Sequence, residues 1–398
     1  MNDVNVAVVG GGPVALSTAL GLAQNGVSVV MLNTVEGQGA LSPVMHDWSV
    51  LPGLDGLGIL GDAVRAGFTD PVWGLRVPST GEHIDLDLRA LKQQTPFPFN
   101  LHIEPTTLRT LFLDRISRVE GARVERACTV AELSQDAAGV TLAFDSAEGA
   151  RELRADWVVG ADGTKSAVRQ ALGVGYPGFT WDERSVVALV DADLDHAGYR
   201  SFTLQVDDRV GAVLQKIGPG RWIHIHAESR ALPIDTIGER LPAIIRDSVG
   251  GLPVRVLGWR AERMHQRTAD RYRVGRVLLA GESAHVANRM IGHSPIAGFF
   301  DAYRITEALT AVVHTGTDDA VLDAYAAGRR QVFLDHASPV SSSRKLLVGK
   351  IGDRDRVDIE LEHYRRAAAD PEQLRELLLF NNELAGESPI LAAERLRG

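Results

Sequence analysis

The first residues that could do chemistry are glycines. Gly10-x-Gly12-x-x-Ala15 follows an apolar run and opens a segment with helical spacing. Glycines there let backbone N–H groups approach a pyrophosphate closely, and the positive end of the following helix favours its charge. Further along, Trp222, His224 and His226 alternate on one face of an expected strand, and His102 and Glu104 share a face of another. An imidazole lining a cavity could take a phenolic proton, because its pKa lies near working pH. On an outer sheet face the same histidines would be plain surface residues. The twelve histidines show no His-Glu-x-x-His spacing, and His224-x-His226 alone is too little for a metal. No Gly-x-Ser-x-Gly elbow is present, which argues against a serine hydrolase.

Such groups need elements to position them. Val4 to Val9 reads as a strand, Ala15 to Gln24 as a helix and Val27 to Leu32 as a second strand, together a βαβ unit that opens a parallel sheet. From about Gly178 to Arg263 the texture alternates, which predicts an antiparallel sheet with one face buried or lining a cavity. Val274 to Ala280 reads as another buried strand, a helix is expected near Asp301 to Val313, and most of the chain beyond Asp319 looks helical. The amphipathic stretch from Val357 to Leu379 could cover an intrachain core or a dimer face. With 398 residues, 45% hydrophobic and 23% charged, the chain has room for two packed domains. No run approaches the roughly eighteen apolar residues of a membrane helix, and nothing at the start reads as a secretory signal. A soluble, cytoplasmic protein is expected, which the single cysteine, Cys128, suits. The formal charge of -9 argues against nucleic acid and anionic membranes as partners.

Two later segments narrow the reading. Trp157-Val-Val-Gly-Ala-Asp162-Gly163-Thr-Lys-Ser166-Ala-Val-Arg169 resembles the DG motif of the class A flavoprotein monooxygenases, the para-hydroxybenzoate hydroxylase group. Arg276-Val-Leu-Leu-Ala-Gly281-Glu282-Ser-Ala-His285 resembles that family's second FAD fingerprint, which normally reads Gly-Asp. The resemblance covers most of the chain and implies an α/β fold: a Rossmann-like FAD-binding domain, an inserted mainly antiparallel substrate sheet and a helical C-terminal segment. The expected FAD-binding domain is discontinuous, residues 1–75, 100–177 and 264–330. The substrate domain would take 76–99 and 178–263, and the C-terminal segment 331–398.

The resemblance also implies a site. FAD would lie with its pyrophosphate on Gly10, Gly12, Pro13 and Val14, with Asp162 and Gly163 near the pyrophosphate and Glu282 at the ribitol. Asn33, Ser42 and Val130 complete the far part of the expected cofactor set, and Gly292, Ser294, Pro295 and Ile296 the part near the flavin ring. NAD(P)H would dock transiently and reduce the flavin, and an aromatic substrate would lie beneath the second sheet. His46, Asp47 and Trp48 fall where the family places a stretch close to the flavin. The expected catalytic candidates are therefore His46, His224 and His226, with Trp48, His102, Glu104, Trp222 and His293 toward the substrate. His285 is expected to pack structurally near the strand end.

Departures from the family pattern matter as well. Where the family carries Pro-x-Gly-Gly-x-Gly-Met-Asn, this chain reads Arg289-Met-Ile-Gly292-His293-Ser294-Pro295-Ile296. Asn33 replaces an acid that would grip the ribose, Ser42 aligns with an expected arginine, and Pro105 with an expected glutamine. These losses open three functions: an FAD-dependent monooxygenase hydroxylating or epoxidising an aromatic or polyketide-like molecule, a redox-neutral cyclase or dehydratase on the same fold, or a binding protein. A monomer or homodimer acting on a small molecule suits each of them.

Overall fold

Val4–Val9 is buried except at half-buried Asn5, as expected for a strand covered on both faces. It pairs in parallel with Val29–Leu32 on one side and with Gly149–Gly160 on the other. Between the first two strands the chain turns at Gly10 with φ +143° and enters the helix Pro13–Gln24. Pro13 suits that start, where a missing N–H costs nothing. The computed structural model describes residues 3–34, 45–206, 211–288, 290, 293–316, 318–349 and 354–397. Val277–Leu279 extends the first sheet in parallel beyond Gly149–Gly160, which also pairs antiparallel with Val140–Ser146. The strand expected from Val274 to Ala280 is thus shorter, because Gly275 turns the chain between Arg273–Val274 and Val277–Leu279.

The second sheet has eight strands, running from His285–Val286 at one edge to Glu82–Asp87 at the other. It is mainly antiparallel, but Phe202–Gln205 and Val72–Val77 pair in parallel. This sheet already begins at Val72, so the boundary expected at residue 76 falls inside a strand. A small third sheet joins Met45–His46 and Phe68–Asp70 to the two sides of Asn100–His102.

The faces of the second sheet have different neighbours. In the strand Arg221–Ser229, Ile223 and Ile225 pack with Leu204, Val213 and Leu347, on the side covered by the C-terminal helices. Trp222 points the other way, into a core made with Ile237, Leu241 and Ile245 of the helix Ile237–Ser248. Side chains alternate along a strand, so His224 and His226 share the Trp222 face.

The helix expected near Asp301 runs from His293–Thr315. The amphipathic stretch after Val357 breaks into Arg354–Ala369 and Pro371–Leu379, because Asp370 caps the second helix by accepting the N–H groups of Glu372 and Gln373. Leu361, Tyr364, Leu374 and Leu378 from this pair join the core beside Trp73 and Leu88, so its apolar face is covered within the chain. No described helix is long and apolar enough to cross a membrane.

Candidate active site

A cavity of about 260 Å³ runs from the glycine turn to the inner face of the second sheet. At one end stand Gly12, Pro13 and Val14, where the first turn of the helix has no side-chain cap on its N–H groups. The cradle tolerates no extra atoms. A Cβ at Gly10 would sit 2.2 Å from the Ala161 carbonyl oxygen, and one at Gly281 or Gly298 would come within 2.9 or 2.8 Å of Val14 Cγ2. Asp162 and Gly163 line the same wall. Asp162 Oδ2 accepts the Val168 N–H at 3.2 Å, whereas its Oδ1 has no hydrogen-bond partner among the described residues. Burial raises the Asp162 carboxyl despite the opposing hydrogen bonds from Ser166 and Val168. Uncapped N–H groups beside a buried, partly unmet acceptor suit a pyrophosphate flanked by hydroxyl-bearing groups, so these residues fit FAD.

Two buried polar links hold the second fingerprint in place. Asp301, fully buried, accepts the Gly281 N–H at 2.9 Å and His285 Nε2 at 2.7 Å on one oxygen, and Arg329 Nε at 2.7 Å on the other. Burial alone would raise this carboxyl, but His285 and Arg329 outweigh it and hold it below the usual range. Arg329 in turn donates to the carbonyls of Ala297, Leu384 and Ala385. Arg169 ties the two fingerprints together, donating to the Thr164 and Ser283 carbonyls at 2.8 and 2.9 Å. His285 is therefore structural, as the sequence suggests. Asp301 and Arg329 carry no motif signal of their own.

At the other end the lining turns aromatic. His46 meets Phe299 edge-on, with ring centroids 5.6 Å apart, and Phe202 and Gln215 face the cavity from the second sheet. Burial, aided by nearby His102, holds the His46 imidazole down at about 4. Ser294, Pro295 and Ile296 also line the cavity, and Ser294 Oγ accepts the Ala287 N–H at 2.6 Å, fixing the start of the long helix.

The remaining expected residues are dispersed. Gly10 shapes the turn from behind the cavity wall. Asn33 is buried at the end of its strand, where its backbone bonds Glu125 and Cys128, and it is not in the cavity lining. Val130 turns into the apolar core with Phe144 and Leu142, because strand alternation directs it there. Ser42 and Gly292 lie outside the described residues. His102 stacks on Phe68 at 4.7 Å and its Nδ1 bonds the Lys216 carbonyl, so it is a structural neighbour of the cavity. Glu104 is exposed at the start of the helix Pro105–Ile116.

The placement of His224 and His226 corrects the expectation that they face the substrate. Both are buried behind the second sheet, where His224 Nε2 bonds Ser248 Oγ at 2.9 Å and Trp222 is fully covered. Alternation along the strand turns Ile223, paired with Gln215, toward the cavity side instead. Trp48 is buried at the floor, with its N–H donated to Asn100 Oδ1, and His293 lies under the cavity against Arg344. Sequence reasoning missed Phe202, Gln215, Phe299 and Arg109, all of which line the cavity. Only the strand register or the helical spacing from a known neighbour could have found them.

Comparison with known proteins agrees with this geometry. Residues 3–336 match the family described as FAD binding domain. The chain is 34% identical over 382 residues to 6-hydroxy-3-succinoylpyridine 3-monooxygenase HspB of Pseudomonas putida (strain DSM 28022 / S16), across 94% of this chain and 96% of that protein. It is 32% identical over 395 residues to para-nitrophenol 4-monooxygenase of Pseudomonas sp. (strain WBC-3), across 97% of each. The crystal structure of p-nitrophenol 4-monooxygenase PnpA from Pseudomonas putida DLL-E4 superposes with a TM-score of 0.92 at 31% identity, covering 97% of this chain and 100% of that one. Relatives named as monooxygenases do not favour the redox-neutral alternative. With its glycine cradle, both fingerprints and these relatives, the chain belongs to the FAD-binding-domain family of class A flavoprotein monooxygenases and is an FAD-dependent enzyme.

Proposed function

We propose that the enzyme hydroxylates a single-ring phenol or hydroxypyridine, with NAD(P)H as reductant and O2 as oxidant. The observation that carries this reading is one continuous cavity that joins the FAD cradle to an aromatic end walled by His46, Phe202, Gln215 and Phe299. The relatives whose names specify single hydroxylated rings, p-nitrophenol and 6-hydroxy-3-succinoylpyridine, support a substrate of that size.

When bound, FAD would supply the redox chemistry, hydride uptake from NAD(P)H and insertion of one oxygen atom of O2 into the ring with the other leaving as water. The chain positions and dries the reacting centre. Gly12, Pro13 and Val14 would hold the pyrophosphate, and Asp162 and Glu282 would accept hydrogen bonds from hydroxyls of the cofactor. Phe299 and Phe202 bracket the substrate ring. His46 is neutral at working pH, so it can accept a hydrogen bond from the phenolic hydroxyl and orient the ring.

The proposed division of labour gives 1–75, 100–177 and 264–330 to the cofactor and most of 76–99 and 178–263 to the substrate, with 331–398 closing the site from below. A monomer or homodimer in the cytoplasm suits the covered C-terminal helices and the single buried cysteine. The test is NADPH and NADH oxidation by the FAD-loaded protein with para-substituted phenols and hydroxypyridines, with products identified by mass spectrometry. Phenol-dependent turnover with one oxygen atom added supports the reading; a flavin-loaded protein that neither binds nor oxidises any such ring overturns it.

A further inference from the structure

The strand Arg255–Thr268 forms part of one margin of the second sheet. Its inner side pairs with Gly178–Asp191, whereas on its outer side His285–Val286 reaches only Arg267 and Thr268. Among the described residues no strand pairs with the outer side from Arg255 to Met264. Such a row of open backbone groups is a template for another strand, and proteins usually blunt it with lysine, proline or a bulge. This stretch holds no lysine or proline, and the one residue it bulges out of its pairing, Leu257, lies toward its start.

The margin is also apolar. Leu257 and Trp259 are 41% and 36% exposed, and the loop before the helix Ile237–Ser248 carries Leu232 and Ile234, at 44% and 57%. That loop is fixed. Arg184 donates to the Leu232 carbonyl and Arg240 to the Pro233 carbonyl, each at 2.8 Å, and buried Glu228 grips both guanidinium groups. Arg184 faces Arg263 across the strand pair, and a Cβ on Gly238 would stand 3.3 Å from Trp259 Nε1, so the loop runs alongside the edge strand. A fixed apolar ridge beside an open strand edge marks a surface that something covers.

Charge selects the occupant. Trp259, Ala261 and Arg263 share one face of the strand, and Arg260 and Glu262 share the other. In a twofold pair, whatever residue i meets in its partner, the partner meets in return. Centred on small Ala261, an antiparallel pair of two copies sets Arg260 opposite the partner's Glu262 and Trp259 opposite the partner's Arg263, each contact occurring twice. The first is an ion pair across strands and the second a cation over an indole. Centred on Trp259 instead, the pair would set Arg255 against the partner's Arg263, and like charges oppose that register. Arg260 and Glu262 pair with each other along their own strand yet remain 29% and 31% exposed, within reach of a second copy.

We propose that the enzyme is a twofold homodimer in which the edge strands of two copies pair antiparallel about Ala261, over Gly258 to Met264, and bury the ridge of Leu232, Ile234 and Trp259 between them. The two second sheets become one. This inference is independent of the substrate reading, because neither Arg260 nor Glu262 lines the cavity.

The test is sedimentation velocity of the FAD-loaded full chain at micromolar concentration, for the wild type, Arg260→Glu, Glu262→Arg and an equimolar mixture of the two variants. The wild type is expected to sediment as a dimer. Each variant alone sets like charges opposite each other and should dimerise at least about tenfold more weakly, since two contacts are reversed at once. In the mixture each copy meets the opposite charge on the other, and dimers return. Flavin absorbance and kcat, expected to be unchanged, report that each variant is folded. Should either charge variant fail to fold, Trp259→Arg, which sets arginine against the partner's Arg263, is expected to separate the copies by itself. A monomeric wild type, including one that takes up a different protein at this edge, overturns the proposal. So does a dimer that persists in the folded variants, or a mixture that stays monomeric.

Discussion

His46 and His226 share a depressed imidazole, each held at about 4 mainly by burial, yet they stand on different sides of the second sheet. His46 borders the cavity beside Phe299. His226 is sealed against the helix Ile237–Ser248, and neither of its ring nitrogens has a hydrogen-bond partner among the described residues. A perturbed imidazole is thus no guide to function here. What separates the two is which face the strand register turns to the cofactor.

The strongest way to break this contrast is a matched pair of substitutions. His46→Leu should lower kcat by up to about 10²-fold, the scale of leaving the buried phenolic donor unsatisfied, with little change in melting temperature. His226→Leu should leave kcat unchanged and alter only stability. Steady-state kinetics beside calorimetric melts decide it, and similar kinetic losses at both positions would erase the distinction.

Acid should expose the back face next. Folded His226 binds its proton less tightly than in the unfolded chain, whose value lies near 6.5. Between about pH 6.5 and 4 the unfolded state therefore holds more protons, so stability falls as pH drops through that window. The loss attributable to His226 reaches about 3 kcal/mol by pH 4, at roughly 1.36 kcal/mol per unit. Urea melts across the window should show it, and His226→Leu should flatten the slope. An unchanged slope would mean that this histidine is wetter than the structure has it.

Smaller effects sharpen the cavity side. Gly281 sits at φ +60°, and a methyl there would meet Val14 Cγ2 at 2.9 Å, so Gly281→Ala should weaken FAD binding by about tenfold, or 1.4 kcal/mol. Flavin fluorescence titration reads this directly. Smallest of all, Asn33→Asp with Ser42→Arg should tighten FAD by about 1 kcal/mol, the scale of one restored hydrogen bond. An unchanged dissociation constant would show that these two positions do not face the adenosine end.

The sequence carried the cofactor end well and the substrate end poorly, for a physical reason. A pyrophosphate cradle is local: strand, glycine turn and helix lie within about thirty residues, so Gly12, Pro13, Val14, Asp162 and Glu282 could be read from contiguous motifs. The substrate end is assembled from distant strands and helices. In Trp222-Ile-His-Ile-His226 both alternating sets are compatible with burial, and only pairing with the strand Ala212–Gly218 decides which set faces inward. Nothing in sequence brings Arg344 under Phe202 or Asn381 onto Asp47; those contacts exist because the C-terminal helices fold back beneath the sheet. Asp301 was legible only as a helix residue, since its worth lies in partners from two other segments, Gly281 and His285 of the second fingerprint and Arg329.

That carboxylate has a consequence for how the molecule comes apart. The same Asp301 holds the Gly281 turn and, through Arg329, the carbonyls of Leu384 and Ala385. A ligand that steadies the turn must steady the tail, and by reciprocity a loosened tail must loosen the ligand. The segment from Leu384 onward is thus expected to act as a latch on the flavin: the stripped protein should first become vulnerable to proteases there, and a nick after Leu384 should be felt as loss of flavin colour.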